Sequence, residues 1–322
     1  MTSFELLAKK HPDQAALMEM IRDAFPPGQF LLSKNLQHWD WEKVTTGRCL
    51  GVGLVRFDEH PLHPAVVVSL QTDKKHKLPL GSIGPFHDTD DVSRALREVS
   101  FTVADDYFNK DTANKISIIG MPSPRLLSLP GLEARCGATP GTYGARILIN
   151  DSRHGILTAG HVAPNEGAPA YEGPRLIGTV SATRHSKITA PGTPTADIAI
   201  IELLQQVNTH PKEQFFPEGT GEDGDLVKSY GAVTTGRTSK IEMILPAFGD
   251  PQEETGVLGN VMLTTEAIST FGDSGAIAVQ EPQARIIGHV VAGVPATSDY
   301  EGYSVIQDLR YQLNQFSARL TE

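Results

Sequence analysis

The chain holds only two cysteines, Cys49 and Cys136, in 322 residues, so no disulfide framework can be read from it. Such scarcity fits a reducing compartment or a fold that needs no covalent staple. No apolar run approaches membrane-spanning length. The first ten residues, Met-Thr-Ser-Phe-Glu-Leu-Leu-Ala-Lys-Lys, lack the basic start, apolar core and cleavage site of a leader. Together these absences predict a cytoplasmic protein with no membrane partner. Positive charge is also short: the net charge is −10, which argues against a nucleic-acid partner whose phosphates would need Lys and Arg. The one basic cluster, Lys74-Lys75-His76-Lys77, reads as a solvated strand end or loop. His60, His63, His185, His210 and His289 have no Cys or carboxylate cluster beside them, and a metal needs three or four converging ligands. No metal and no cofactor are expected.

What remains is ordinary globular material, with 39% apolar and 20% charged residues over a length that allows two domains. Residues 1–48 open with apolar positions at helical spacing (Phe4, Leu7, Ala8, then Ala15, Leu17, Met18, Ile21) that stop at Pro26-Pro27-Gly28. Residues 49–125 carry two strand signals, Gly51–Phe57 and Ala65–Leu70. A helix is expected within Asp90–Val99 and a further strand at Lys115–Met121. This stretch reads as a small α/β module. From Gly141 onward, short apolar strands alternate with Gly, Pro, Asp and Asn turns, the pattern of an all-β barrel or sandwich. Leu309, Leu313, Phe316 and Leu320 fall on one helical face, predicting a closing amphipathic helix over 308–320.

Three signals inside the β-rich part carry chemistry. Leu157-Thr158-Ala159-Gly160-His161-Val162 puts a histidine at the end of an apolar strand, after small residues. Thr195-Ala196-Asp197 runs straight into the apolar strand Ile198-Ala199-Ile200-Ile201. Gly272-Asp273-Ser274-Gly275 is a tight turn that brings a hydroxyl and neighbouring backbone N–H groups to one point. In chain order these are His, Asp and Ser, the parts of an activated-serine hydrolase. Asp151 and Asp225 are rivals for the acid. The order excludes the hydrolases whose nucleophile precedes its acid and histidine on a strand-to-helix turn, because Ser274 comes last and residues 276–294 read as strands. The acidic loop Gly221-Glu222-Asp223-Gly224-Asp225 lacks the ligand spacing of an EF-hand and reads as a hairpin loop.

On these motifs, and on Ile286-Ile287-Gly288-His289-Val290-Val291-Ala292-Gly293-Val294-Pro295, residues 137–322 resemble a trypsin-like serine endopeptidase of the chymotrypsin fold. The resemblance implies a mainly β protein: two six-stranded antiparallel barrels, at about 137–210 and 222–307, preceded by the small α/β module. It departs from many secreted relatives in having Val162 and Thr270 where those carry cysteines. The implied catalytic residues are His161, Asp197 and Ser274, with the backbone N–H groups of Gly272 and Ser274 as oxyanion hole. The implied substrate pocket has Ile268 at its base, Val290, Val291, Ala292 and Gly293 as walls and Gly302 opposite. Without a carboxylate at Ile268, Arg or Lys before the cut is not expected. His289 lies one residue from Val290, where a glutamate-specific relative carries its substrate-binding histidine. In secreted relatives the matching Asp273 pairs with a newly cut N-terminus; here either another cation or N–H donor serves, which is the simpler expectation, or the chain is made inactive and cut near Gly141. The implied partner is a protein or peptide substrate, and residues 1–121 are left as the surface for a homo-oligomer or another partner. The alternative reading is an idle protease-fold scaffold that acts through its N-terminal region.

Overall fold

The computed structural model describes residues 1–24, 26–27, 45–56, 62–70, 76–78, 116–122, 136, 141–150, 152–185, 192–204, 216–249, 256–294, 296 and 302–321. The helix expected within Asp90–Val99 and the rival Asp151 lie outside these residues. Among them the chain is mainly β. Two helices come first, α1 (Ser3–Lys10) and α2 (Pro12–Ala24), followed by β1 (Thr45–Val55), β2 (His63–Leu70), β3 (His76–Leu78) and β4 (Ser117–Pro122). Then come β5 (Arg146–Ile149), β6 (Arg153–Thr158), β7 (Pro169–Glu172), β8 (Arg175–Arg184), β9 (Pro194–Thr195) and β10 (Ile198–Leu203). The last third holds β11 (Leu226–Tyr230), β12 (Thr235–Gly249), β13 (Val257–Thr264), β14 (Ile277–Glu281), β15 (Arg285–Val294), β16 (Tyr303–Asp308), a short helix α3 (Leu309–Asn314) and β17 (Ala318–Leu320).

One closed six-stranded antiparallel barrel organises the C-terminal part. Its ring runs β12–β11–β14–β15–β16–β13 and closes because β13 also pairs with β12. Closure leaves no free edge within the ring. The 15-residue β12 makes it possible. Its first residues pair with β11 (Leu226↔Lys240) and its later ones with β1 (Leu54↔Ile244), while β13 takes the other side.

That sharing has a consequence for the N-terminal region. β1, β2, β4 and β3 continue from β12 in a single 11-stranded sheet. Val52, Leu54, Val66 and Val68 enter one core with Ile244, Met262, Ile268 and Ile306, under Leu7, Met18 and Ile21 of the helices. Leu50, Val55, Val67 and Ile119 enter another with Leu245, Phe248 and Tyr303. The described part of 45–122 therefore adds strands and core to the barrel rather than standing apart as an α/β module. Gly51 and Gly53 allow this: a β-carbon on either would stand within 3 Å of β12 backbone and Leu245. At its start, α1 is tied down by Ser3, whose N–H and hydroxyl both donate to Asp308 (2.8 and 2.7 Å).

The other sheet has the order β17-β5-β6-β10-β8-β7. Its central strands are buried as the apolar runs predicted: β10 hides Ile198 to Ile201 completely or nearly so, and each of its buried isoleucine side chains stabilises the fold by roughly 1.5–3 kcal/mol. Two expectations need correction here. Among the described residues no pairing joins β17 to β7, so a second closed barrel is not seen. The expected C-terminal helix is also cut short. It spans only Leu309–Asn314, buries Leu309 and Leu313, and gives way through Ser317 (φ +51°) to β17. β17 satisfies the edge of β5 (Arg319↔Leu148), a bond set that helical periodicity cannot foresee. Phe316 and Leu320 still pack on the same core as Leu309, so the apolar stripe is used without the helix.

Candidate active site

His161 is reached from the buried end of β6 through Ala159 and Gly160. The chain then turns helically, with Val162 and Ala163 donating their N–H groups to Ala159 O. Gly160 is required by close approach: a β-carbon there would stand 2.1 Å from the Arg184 carbonyl oxygen and 2.9 Å from Asp197 Oδ1. Asp197 sits at the mouth of β10, 3% exposed. Its Oδ1 accepts the His161 backbone N–H (2.8 Å), and its Oδ2 lies 2.6 Å from His161 Nδ1. An ionised carboxylate only accepts hydrogen bonds. Nδ1 must therefore donate this bond, which leaves Nε2 as the ring nitrogen that can serve as a base. Nε2 is buried and has no hydrogen-bond partner among the described residues. That is an unusual position for a polar atom and marks it for use.

The turn Gly272–Gly275 lies between β13 and β14, is closed by the local bonds Asp273 N–H to Thr270 O and Ala276 N–H to Asp273 O, and is held to β15 by Gly275 N–H to Val290 O. Gly272 (φ +96°) and Gly275 (φ +93°) hold left-handed conformations that side chains resist. Asp273 is fully buried and fully served. Oδ1 accepts the N–H groups of Val233 (2.9 Å) and Thr234 (3.0 Å), and Oδ2 that of Thr270 (2.9 Å). Backbone amides thus supply the N–H donors that the sequence left open.

Ser274 lies against the histidine's segment by its backbone. Its carbonyl oxygen accepts Thr142 N–H (2.7 Å), and that oxygen and Val162 Cγ2 both come within 3 Å of where a β-carbon on Gly141 would stand. The next residue, Gly275, would with a β-carbon strike Thr142 O, Thr158 Oγ1 and Ala159 N. Thr142 is the pin. Its hydroxyl donates to Gly272 O (2.8 Å) and accepts Ala232 N–H (3.1 Å), while its carbonyl oxygen accepts the Thr158 hydroxyl (2.8 Å). Sequence reading missed it, because a threonine between a glycine and a tyrosine carries no signal.

The other expected site residues are placed less simply. Ile268 and Val290 are fully buried in one core with Ile287 and Ile306, whereas Val291 and Ala292 enter the opposite core beside Tyr303. The expected pocket walls are thus divided between two faces of β15. Gly302 takes φ +69°. His289 points away from Val290, as alternation along a strand requires. Its Nε2 accepts Ala145 N–H (3.1 Å) and its Nδ1 meets Gln312 Oε1 (2.8 Å). Burial pushes its pKa down to about 4.

The rival Asp225 accepts Glu222 N–H (2.7 Å) and Gln280 Nε2–H (2.6 Å), so it caps its own hairpin loop. Arg56 pairs with Asp223 (3.1 Å) and Lys10 with Glu222 on the same loop. No group of three or more metal-ligating side chains occurs among the described residues. No helix among them is long and apolar enough to cross a membrane.

No family model and no curated protein matches the chain. Its similarity is to solved structures of chymotrypsin-fold serine proteases. It is 19% identical to Nocardiopsis protease (NAPase), over 60% of this chain and 97% of that chain, with a TM-score of 0.46. A glutamic-acid-specific serine protease that uses a histidine triad in substrate binding is 14% identical, over 59% and 98%, with a TM-score of 0.47. Cellulomonas bogoriensis chymotrypsin is 22% identical, over 56% and 97%, with a TM-score of 0.39. At such values the chemistry of this chain rests on its own side chains.

Proposed function

We propose that the chain is a serine endopeptidase in which Ser274 attacks the peptide carbonyl, His161 moves the proton and Asp197 holds the imidazole. One observation carries this reading: the 2.6 Å contact between Asp197 and Nδ1 leaves a buried, unpartnered Nε2 on the segment that packs against Ser274. Nε2 takes the Ser274 hydroxyl proton as the Oγ–C bond forms. It returns that proton to the leaving amine as the C–N bond breaks, and water then hydrolyses the acyl-enzyme by the same path. The N–H groups of Gly272 and Ser274 receive the oxyanion, each donor stabilising the transition state by about 3 kcal/mol. With Ile268 apolar and no histidine at Val290, the residue before the cut is small or medium-sized and apolar. Two cysteines that form no disulfide support a cytoplasmic setting.

A second reading, an idle scaffold of the same fold, draws on the complete burial of Ser274, which an attacking hydroxyl must escape. A fluorophosphonate probe decides between them. The enzyme reading expects the purified chain to take up one probe on Ser274 and to cleave a peptide library. A folded chain that does neither is the scaffold.

A further inference from the structure

We propose that Gln307 is a positioning residue for Asp197; the inference rests on the protease reading above. Gln307 lies near the end of β16 and is fully buried. A methionine or leucine would fill the same space with no polar group to satisfy, and a buried carboxamide left without partners costs a few kcal/mol. Among the described residues its side chain bonds both to the acid's segment and to β13 of the barrel. Oε1 accepts Asp197 N–H (2.8 Å) and Gln312 Nε2–H (3.2 Å), and Nε2 donates to Thr195 O (3.0 Å) and Gly259 O (2.8 Å). Donors face one end and carbonyls the other, so the orientation of the amide is dictated by its neighbours.

The position of these bonds is what matters. β9 is only two residues long and pairs with β13 through Pro194 and Thr195. Gln307 links Thr195 O to Gly259 O just past the end of that ladder, and it also takes the N–H of Asp197. His161 follows β6 and Asp197 directly precedes β10 of the six-stranded sheet, whereas Ser274 lies between β13 and β14 of the closed barrel. Gln307 is a barrel residue that grips the acid's segment on both sides of Ala196. It therefore fixes the His–Asp pair against the strand system that carries the nucleophile, and a displacement of 1 Å at such a centre costs about 100-fold in rate. Gln312 extends the hold. Its Oε1 meets His289 Nδ1 (2.8 Å) and its Nε2 reaches Gln307.

Gln307→Met keeps the volume and removes the carboxamide, and the test compares it with wild type in two measurements. In peptide hydrolysis kcat should fall about 10- to 100-fold while KM changes by less than about twofold. In proton NMR the His161 Nδ1–H, downfield in wild type because of its short bond to Asp197, should move upfield or broaden. A merely structural glutamine would lower thermal stability and leave both readouts alone. Wild-type kcat together with an unmoved resonance overturns the proposal, as does a wild-type spectrum with no downfield proton. Should Gln307→Met fail to fold, Gln312→Met replaces it, with a several-fold loss of kcat and a smaller shift expected; no change in either overturns the proposal. If wild type neither labels nor cleaves, the protease reading falls by itself. The resonance of the variant then decides whether Gln307 holds the His161–Asp197 pair.

Discussion

Gly160 lies against Asp197 so closely that a β-carbon on the glycine would stand 2.9 Å from the carboxylate oxygen that accepts the His161 backbone N–H. Arg184 O would be nearer still, at 2.1 Å, and being backbone it cannot swing aside. Gly160→Ala must therefore move either the strand end or the acid. The expected cost is about 1–3 kcal/mol of stability and about a 100-fold loss in kcat/KM. Urea denaturation and steady-state kinetics on the same preparation measure both. Full activity in Gly160→Ala would mean that Asp197 has more freedom than the catalytic reading allows.

Ser274→Ala and His161→Ala should each abolish peptide hydrolysis while leaving circular dichroism and the denaturation midpoint near wild type. Members of such a triad act as a unit, so the double variant should be no slower than either single one. Wild-type-like turnover by Ser274→Ala would remove the serine from the mechanism.

Asp273 already accepts three backbone N–H groups in the uncut chain, so activity should not wait on a newly exposed α-amino group. The 322-residue protein should label with fluorophosphonate, and intact mass spectrometry should find the adduct on the uncut chain. Asp273→Asn would turn an N–H donor toward one of those amides, leaving it unpaired at about 1–3 kcal/mol and slowing the labelling. Labelling that appears only after cleavage near Gly141 would show that processing is needed.

The turn at Gly272–Gly275 was readable because its cause is local: two left-handed positions need glycine, and Asp273 accepts the N–H of Thr270 three residues before it, whereas the Val233 and Thr234 amides that complete its shell come from far along the chain. The strand after Asp197 was readable because both of its faces are buried, so it appears as an unbroken apolar run. What escaped was set by partners far along the chain. A long β12 whose edge serves β11 and β1, and a β17 that completes the edge of β5, depend on non-local pairing that no window of sequence contains. Gln307 and Gln312 escaped for another reason. Polar residues in an amphipathic strand and helix read as the wet face, yet both are buried and bonded to the acid's segment. The pocket suffered most: register along β15 decides which residues face outward, and the pairing of β15 with β16 carries an irregularity between Val290 and Ala292.

His289 gives the protein an acid limit distinct from that of catalysis. Its ring is neutral by construction, since Nε2 accepts Ala145 N–H, and burial holds its pKa at about 4 against an ordinary 6.5. The unfolded chain therefore takes up a proton near pH 6.5 that the folded chain refuses until about pH 4. Stability contributed by the neutral ring is complete above pH 6.5, drains as the pH falls through that window, and is gone below pH 4. The loss is on the order of 3 kcal/mol. Asp223, Asp225 and Asp308 have pKa values raised by burial, so they pull in the opposite direction as the pH falls. Only a difference between proteins isolates the histidine. Urea midpoints for wild type and His289→Asn at pH 7, 5.5 and 4 should converge as the pH drops, because the variant has no proton to take up at this position. Parallel curves would mean that the ring already titrates normally in the folded state, and that its bonds to Ala145 and Gln312 break readily.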